Sequence, residues 1–238
     1  LRANPLGTSL QLNNKRLVVI QLSGGNDGLN TIIPFGHDEY YNNRSALGIK
    51  KENLLKLNDE FGWNKKLEGL RDLYDRGMIS VINSVGYPNP NRSHFRSMDI
   101  WHTASDSDEN WQTGWIGRFL DNNCTDAFES IEWDGTMSLV MKGKKRSGIA
   151  LTNPQAFYDT ITSEFFDELE TPKTDNSELQ FMYKAFDDTR NSAKYIYDQY
   201  KLKANYEYYP KGQLSGKLKE IATLIKSDIR TPVFYTSL

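Results

Sequence analysis

The chain has 238 residues, 38% of them hydrophobic and 25% charged, with 31 acidic side chains against 29 basic ones. That length holds a sizeable core, and a formal net charge of −2 gives no electrostatic footing for nucleic acid or an anionic membrane surface. No apolar run approaches the ~20 residues of a membrane span. The single cysteine, Cys124, excludes an internal disulfide and a cysteine-rich zinc site and reads as an ordinary semi-buried thiol.

Residues 1–15 read as an irregular arm without the apolar segment of a signal peptide. Leu17–Leu22 (LVVIQL) is apolar at five of its six positions, which predicts a short strand covered on both faces, as in a parallel sheet. It runs straight into Ser23-Gly24-Gly25-Asn26-Asp27-Gly28. Glycines at a strand's exit permit positive φ or a close approach to a ligand, and ligands of open α/β sheets gather beyond the carboxyl ends of the strands. Asp27 stands there either as a site carboxylate or as the cap of a tight turn.

Residues 35–59 read as loop with short helical turns. Residues 64–77 (NKKLEGLRDLYDRG) predict a helix, with Asn64 as N-cap, a stripe of Leu67, Leu70, Leu73 and Tyr74, and Gly77 at C′. MISVINSV, residues 78–85, reads as a second strand, so that residues 16–85 form a right-handed β–crossover–β unit. After a Gly/Pro-punctuated loop at Gly86, Pro88 and Pro90, a helix is expected to begin between Asn91 and Ser93, and 113–123 predicts another. Residues 128–151 read as short strands joined by turns at Asp134-Gly135 and Gly143, and 153–170 as one or two helices. The longest helix is expected over 176–204, with Leu179, Met182, Phe186, Ala193, Ile196, Tyr197 and Tyr200 at core spacing. A last helix over 212–229 and a last strand over 231–238 follow. With no repeat, low-complexity tract or linker, alternating strands and helices predict a single α/β domain over residues 1–238. Its final strand either closes the domain as an edge or leads into a site loop beyond Leu238.

Two loops carry the candidate chemistry, one ending in Asp27 and one leading to Ser93. Ser93 at a helix N-terminus would have free N–H groups and the helix dipole beside it, which favour an anion. A hydroxyl there is placed to attack a phosphoryl or sulfuryl centre, and Arg92 and Arg96 flank it as partners for phosphate or sulfate. The competing reading of Ser93 is a helix cap. Asp27 is the carboxylate for a divalent metal that would lower the hydroxyl's pKa. His94 adjoins Ser93 and points toward the ester; His102, eight residues on, cannot share a metal with it from one straight helix. The third histidine is His37, and no His-x-His or His-x-x-x-His pair exists. Gly-x-Gly-x-x-Gly, Walker, Gly-x-Ser-x-Gly and His-Glu-x-x-His signatures are absent, which argues against common nucleotide-binding proteins and ordinary serine hydrolases. Trp101, Trp111 and Trp115 lie close in sequence and suit either a core, a lid or a carbohydrate-facing wall.

Several segments occur in a familiar order: LVVIQLSGGNDGLNTIIP, then YY..R..LGI, then LLKLNDEFGWNKKLEGLRDLYDRGMISVINSVGYPNPNRSHFRSMDIWHTA and GWIGRFLD. Together they resemble the bacterial family called domain of unknown function 1501, densely over residues 15–122 and loosely beyond. The resemblance implies a relation to the alkaline phosphatase and sulfatase superfamily. The implied fold is α/β, a doubly wound, mostly parallel sheet with flanking helices, and the implied chemistry uses two divalent metals and a Ser or Thr nucleophile. Carried over, Asp27 with Asn26 takes the metal-binding position after the first strand, and Ser93 in NRSHF takes the nucleophile position. Later ligand motifs of the family, an Asp-Thr-His, a Ser-Glu-Phe-Gly-Arg and an Asp-His-Gly, do not occur here. The resemblance therefore implies the N-terminal portion of a longer domain, lacking its C-terminal part. It also implies twin-arginine export to a periplasmic or extracellular location.

The expectation is thus a metal-dependent hydrolase of small or polymeric phosphate or sulfate esters in the intact protein. Its divalent ions (Zn, Mn, Mg or Ca) are expected to bind this portion weakly or not at all, leaving it inactive by itself. The alternative is a non-catalytic exported protein binding polysaccharide or a cell-surface partner, with YIYDQYKLKANYEYY and the tryptophans as contact surface.

Overall fold

The computed structural model describes residues 15–23, 25–164 and 177–238. Expectations for 1–14, Gly24, 165–170 and Asn176 lie outside these residues. The chain divides into two compact units, a large one of Leu1–Gln21 with Tyr87–Leu238 and a small one of Leu22–Gly86.

The large unit is α/β. Strands β1 (Leu17–Gln21), β5 (Ser130–Glu132), β6 (Ile149–Ala150) and β7 (Val233–Ser237) form a four-stranded sheet in the order β1-β7-β5-β6, parallel at every pairing. This arrangement is compatible with a Rossmann-like fold. β7 lies in the middle, and Val233 to Thr236 are all buried, which suits its opening apolar run Val233-Phe234-Tyr235. β1 (LVVIQ) is more apolar still but pairs only with β7 among the described residues, and Leu17 and Ile20 stay about half exposed.

Successive residues of β7 and β1 enter two different cores, as the two-residue strand period requires. Val18, Ile131 and Phe234 pack with Phe157 on α5 (Pro154–Ile161), Ile196 on α6 (Ser177–Leu202) and Leu224 on α7 (Gln213–Lys226). Val19, Val233 and Tyr235 pack on the other side against Ile116 and Leu120 of α4 (Trp115–Asn123) and against Val140 and Met141. Helices therefore cover both faces. Each fully buried Ile, Leu or Phe of these cores contributes roughly 1.5–3 kcal/mol. In α6 the expected stripe is only half used: Ala193 and Ile196 are fully buried, whereas Leu179 and Met182 are exposed.

Side-chain caps fix two of the helix starts. Asn153 caps α5 by accepting from the Ala156 N–H at 2.9 Å, with Pro154 in the first turn. Ser93 caps α3 (His94–Thr103). The strands of 128–151 pair in parallel, so the turn at Asp134-Gly135 opens a crossover through a short 3-10 turn at Leu139–Met141 and does not close a hairpin.

The small unit contains a sheet that the sequence did not announce. Strands β2 (Ile32–Ile33), β3 (Leu54–Lys56) and β4 (Gly62–Asn64) pair antiparallel in the order β2-β4-β3, over a core of Ile33, Phe35, Tyr40 and Leu54. Asn58 closes the β3–β4 turn by accepting from the N–H groups of Glu60 and Phe61. The expected helix over 64–77 starts as a 3-10 turn capped by Asn64 and becomes α2 (Glu68–Asp75), with Gly77 at φ +71 as predicted. One expected element is corrected: residues 78–85 form no strand. Met78, Ile82 and Val85 are more than 60% exposed, and Ser84 adopts a left-handed φ of 57° that breaks the extended path. Its Ile- and Val-rich composition suits a strand, but a strand exists only where a partner takes its N–H and C=O groups.

Candidate functional site

The predicted site residues fall in both units and are described within each. In the small unit, Gly25 takes φ +92 and the chain turns through a 3-10 turn at Gly28–Asn30 with Asp27 at its cap position. The Asp27 side chain makes no capping bond. Instead its Oδ2 accepts a hydrogen bond from Nη2 of Arg44, a mostly buried guanidinium. Asn26 Oδ1 and the Asp27 carbonyl both lie within reach of the Thr31 hydroxyl, at 3.1 and 2.8 Å.

The loop is anchored from below by Asn30. Its Oδ1 accepts from the Tyr40 hydroxyl at 2.6 Å, its Nδ2 donates to the Leu47 carbonyl at 3.0 Å, and its own carbonyl accepts from Asn64 Nδ2 at 2.8 Å. Tyr40 in turn accepts the Ile49 N–H at 2.8 Å. The segment α1 (Asp38–Asn43) through Ile49 thus holds the glycine loop, which gives the residues of the YY..R..LGI segment a physical purpose.

In the large unit, Ser93 is exposed at the N-terminus of the ten-residue α3. The Arg96 N–H donates to Ser93 Oγ at 3.4 Å, a long cap bond, and the Ser93 N–H is taken by Asn91 Oδ1 at 2.8 Å. Tyr87 fixes the preceding loop through the Ser97 hydroxyl at 2.6 Å and the Asn91 N–H at 3.3 Å. Arg92 and His94 are exposed beside Ser93. Arg96 faces elsewhere: its Nη2 donates to the carbonyls of Ser107 and Glu109, so it ties a loop to the helix.

The far end of α3 meets the carboxyl edge of the sheet. His102 Nε2 lies 3.0 Å from Gln21 Oε1 and 3.4 Å from the Tyr235 hydroxyl, which itself donates to Gln21. Burial lowers the His102 pKa, against the pull of Asp99, and burial pushes the Tyr235 hydroxyl up. Nearby in the sheet, Glu132 is almost fully buried; Oε2 accepts from the N–H and hydroxyl of Ser138 at 2.8 and 3.1 Å. Burial raises its pKa despite those bonds. Lys217 joins α7 to this edge, donating to Asp134 Oδ2 and the Ser237 carbonyl at 2.9 Å each. Along α3, at 1.5 Å per residue, His102 stands about 13 Å from Ser93, so the two cannot act on one atom.

Sequence reasoning missed Arg44, Asn30, Gln21 and Tyr235. Arg44 had a signal, since a lone arginine follows two tyrosines within the quoted segments; Gln21 and Tyr235 read as ordinary strand positions. The three tryptophans are 38–47% exposed, with Arg118 stacked 4.8 Å over Trp111.

Among the described residues no three His, Cys, Asp or Glu side chains gather as metal ligands. The donors that the resemblance assigns do not fit a resident divalent ion by themselves, because Arg44 holds the Asp27 carboxylate and Thr31 holds Asn26. No helix among the described residues is long and apolar enough to cross a membrane. No family model, curated protein or solved structure matches the chain.

Proposed function

We propose that this chain, as part of the intact protein, serves the hydrolysis of phosphate or sulfate esters, with Ser93 as the nucleophile. The observation that carries the reading is an exposed hydroxyl at the N-terminus of α3, engaged by a single 3.4 Å bond and therefore easily freed. Attack by Oγ forms the new O–P or O–S bond as the bond to the ester oxygen breaks; the Oγ proton leaves to solvent, the departing oxygen takes up a proton from solvent, and water then cleaves the seryl ester to release phosphate or sulfate and restore the hydroxyl. Charge on the peripheral oxygens is met by the first-turn N–H groups of α3 and by Arg92, with His94 on the ester. The proposal extends, by resemblance alone, to an alkaline-phosphatase-like doubly wound fold, to export and to a divalent ion at Asp27. That ion has to compete with Arg44 for the carboxylate, and no step given above passes through it.

The test separates nucleophile from cap. Turnover of aryl phosphate and aryl sulfate is measured with and without Mn²⁺ or Zn²⁺ for the intact protein as parent, Ser93→Ala and Ser93→Asn. Asparagine caps as well as serine, whereas alanine costs ~0.5–1 kcal/mol of helix stability. Loss of turnover in both variants, with stability lost only in Ser93→Ala, supports the proposal. Turnover retained in Ser93→Asn removes Ser93 from the chemistry. No turnover in any condition favours the second reading, a non-catalytic binding protein. The exposed rings of Tyr206 and Tyr208, at 93% and 88%, are its natural contact surface.

A further inference from the structure

The small unit holds a cleft of about 350 Å³ beside the Asp27–Arg44 pair. Leu29, Pro34 and Tyr40 supply carbon walls, and Arg44 supplies a cation. Arg44 is also incompletely satisfied. Its Nη2 is bonded to Asp27, while its Nε is buried and has no hydrogen-bond partner. A buried donor left unbonded is among the costlier defects of a folded chain and calls for a partner. The Nε–Nη2 edge of a guanidinium is the fork that carboxylates and sulfates occupy with two parallel bonds. In the present rotamer that fork is spent on one monodentate bond.

We propose that the cleft binds a small organic monoanion, an apolar body carrying one carboxylate or sulfate group, and that Arg44 turns from Asp27 to take the acidic group with Nε and Nη2. The carbon walls select the apolar body. Glu39, which also lines the cleft, disfavours more highly charged ligands. Asp27 acts as an internal competitor that parks the guanidinium when the cleft is free. Neither Ser93 nor a divalent ion takes part, so this inference stands apart from the hydrolase reading.

The experiment is a titration of the full chain with phenyl sulfate and with benzoate, in chelator to exclude metal, following the Arg44 Nε–H resonance by NMR. A downfield shift is expected, with Kd on the order of 1 mM, as suits so small a ligand. Arg44→Lys keeps the charge but loses the fork and is expected to weaken binding about tenfold. Asp27→Asn removes the competitor and is expected to tighten binding about fivefold, the size of an exposed ion pair. A purely structural Arg44 would not give that gain. Ser93→Ala is expected to bind as the parent does, whatever its turnover. The inference is overturned if the parent binds neither probe, if Arg44→Lys binds as well as the parent, or if Asp27→Asn fails to bind more tightly. Inorganic sulfate binding as tightly as phenyl sulfate would overturn the assigned ligand class.

Discussion

Gly117, in the first turns of α4, is where sequence logic and packing give opposite signs. By helix propensity, Gly117→Ala should stabilise by ~0.5–1 kcal/mol. In the fold, a Cβ at this position would stand 2.1 Å from the carbonyl carbon and oxygen of Lys142 and 2.3 Å from the Gly143 nitrogen. Those are backbone atoms and they cannot swing away. The Lys142 carbonyl accepts from the Gly114 N–H at 2.8 Å, and the N–H groups of Lys144, Lys145 and Arg146 converge on the Asp121 carboxylate at 2.6–2.9 Å. Burial works to raise the Asp121 pKa, yet these backbone bonds hold it below the usual carboxylate value. To admit the methyl, α4 has to back away from the 139–143 segment, loosening Ile116 and Leu120 against Val140 and Met141. Overpacking of this kind costs about 1–3 kcal/mol. Net of propensity, a loss of about 1 kcal/mol is expected, or a fall of about 2–4 °C in Tm for a chain of this size. Gly216→Ala on α7 is the control, since nothing lies within 4 Å of the place its methyl would take. It should gain ~0.5–1 kcal/mol. Urea and thermal unfolding of both variants measure this. A Gly117→Ala protein at least as stable as the parent, beside a normal Gly216→Ala, would refute the packing of α4.

Two further outcomes follow from buried titratable groups. Glu132 has its native pKa raised above its ordinary 4.5, first by burial, so the folded state holds its proton over a pH range where the unfolded chain has lost it. Stability contributed by this group is therefore present in acid and declines as pH rises from about 4.5 through the native value. Glu132→Gln should flatten that slope and raise stability at neutral pH; an unchanged pH profile would show that the carboxyl is not buried as described. Cys124 is buried, and burial pushes its thiol up to about 12. At pH 8 it should react with a thiol reagent only as fast as the protein unfolds, and rapidly in denaturant. Fast modification of the folded protein would contradict its place beside Leu120 and Met141.

Much of the large unit was readable because its signals are local. The final strand, the helices over 113–123 and 212–229, and the cap at Ser93 depend on residue type and spacing within a few positions. The small unit was harder. Its strands are two or three residues long, too short for an alternating pattern, and they exist because an Asn turn and cross-strand partners hold them. Residues 78–85 failed in the opposite direction: the strand-forming composition was present and the partner was not. At the candidate sites, sequence picked out Ser93 and Asp27 by their glycine and helix-start contexts. It had no means of seeing that Arg44 occupies the Asp27 carboxylate, or that Arg96, close to Ser93 in sequence, spends its guanidinium on the 107–109 loop.

Composition and periodicity alone determined the α/β character, the parallel preference of the apolar strands and the hydroxyl at the start of α3. These follow from short-range sterics, burial patterns and capping, which any neighbouring residues reveal. Only the tertiary structure decided that Val233–Ser237 is central and Leu17–Gln21 is flanked on one side among the described residues. It alone decided which carboxylate is already paired and which guanidinium nitrogen is left wanting a partner. Those outcomes depend on contacts between residues 17 to more than 200 positions apart, whose energies no local stretch of sequence encodes.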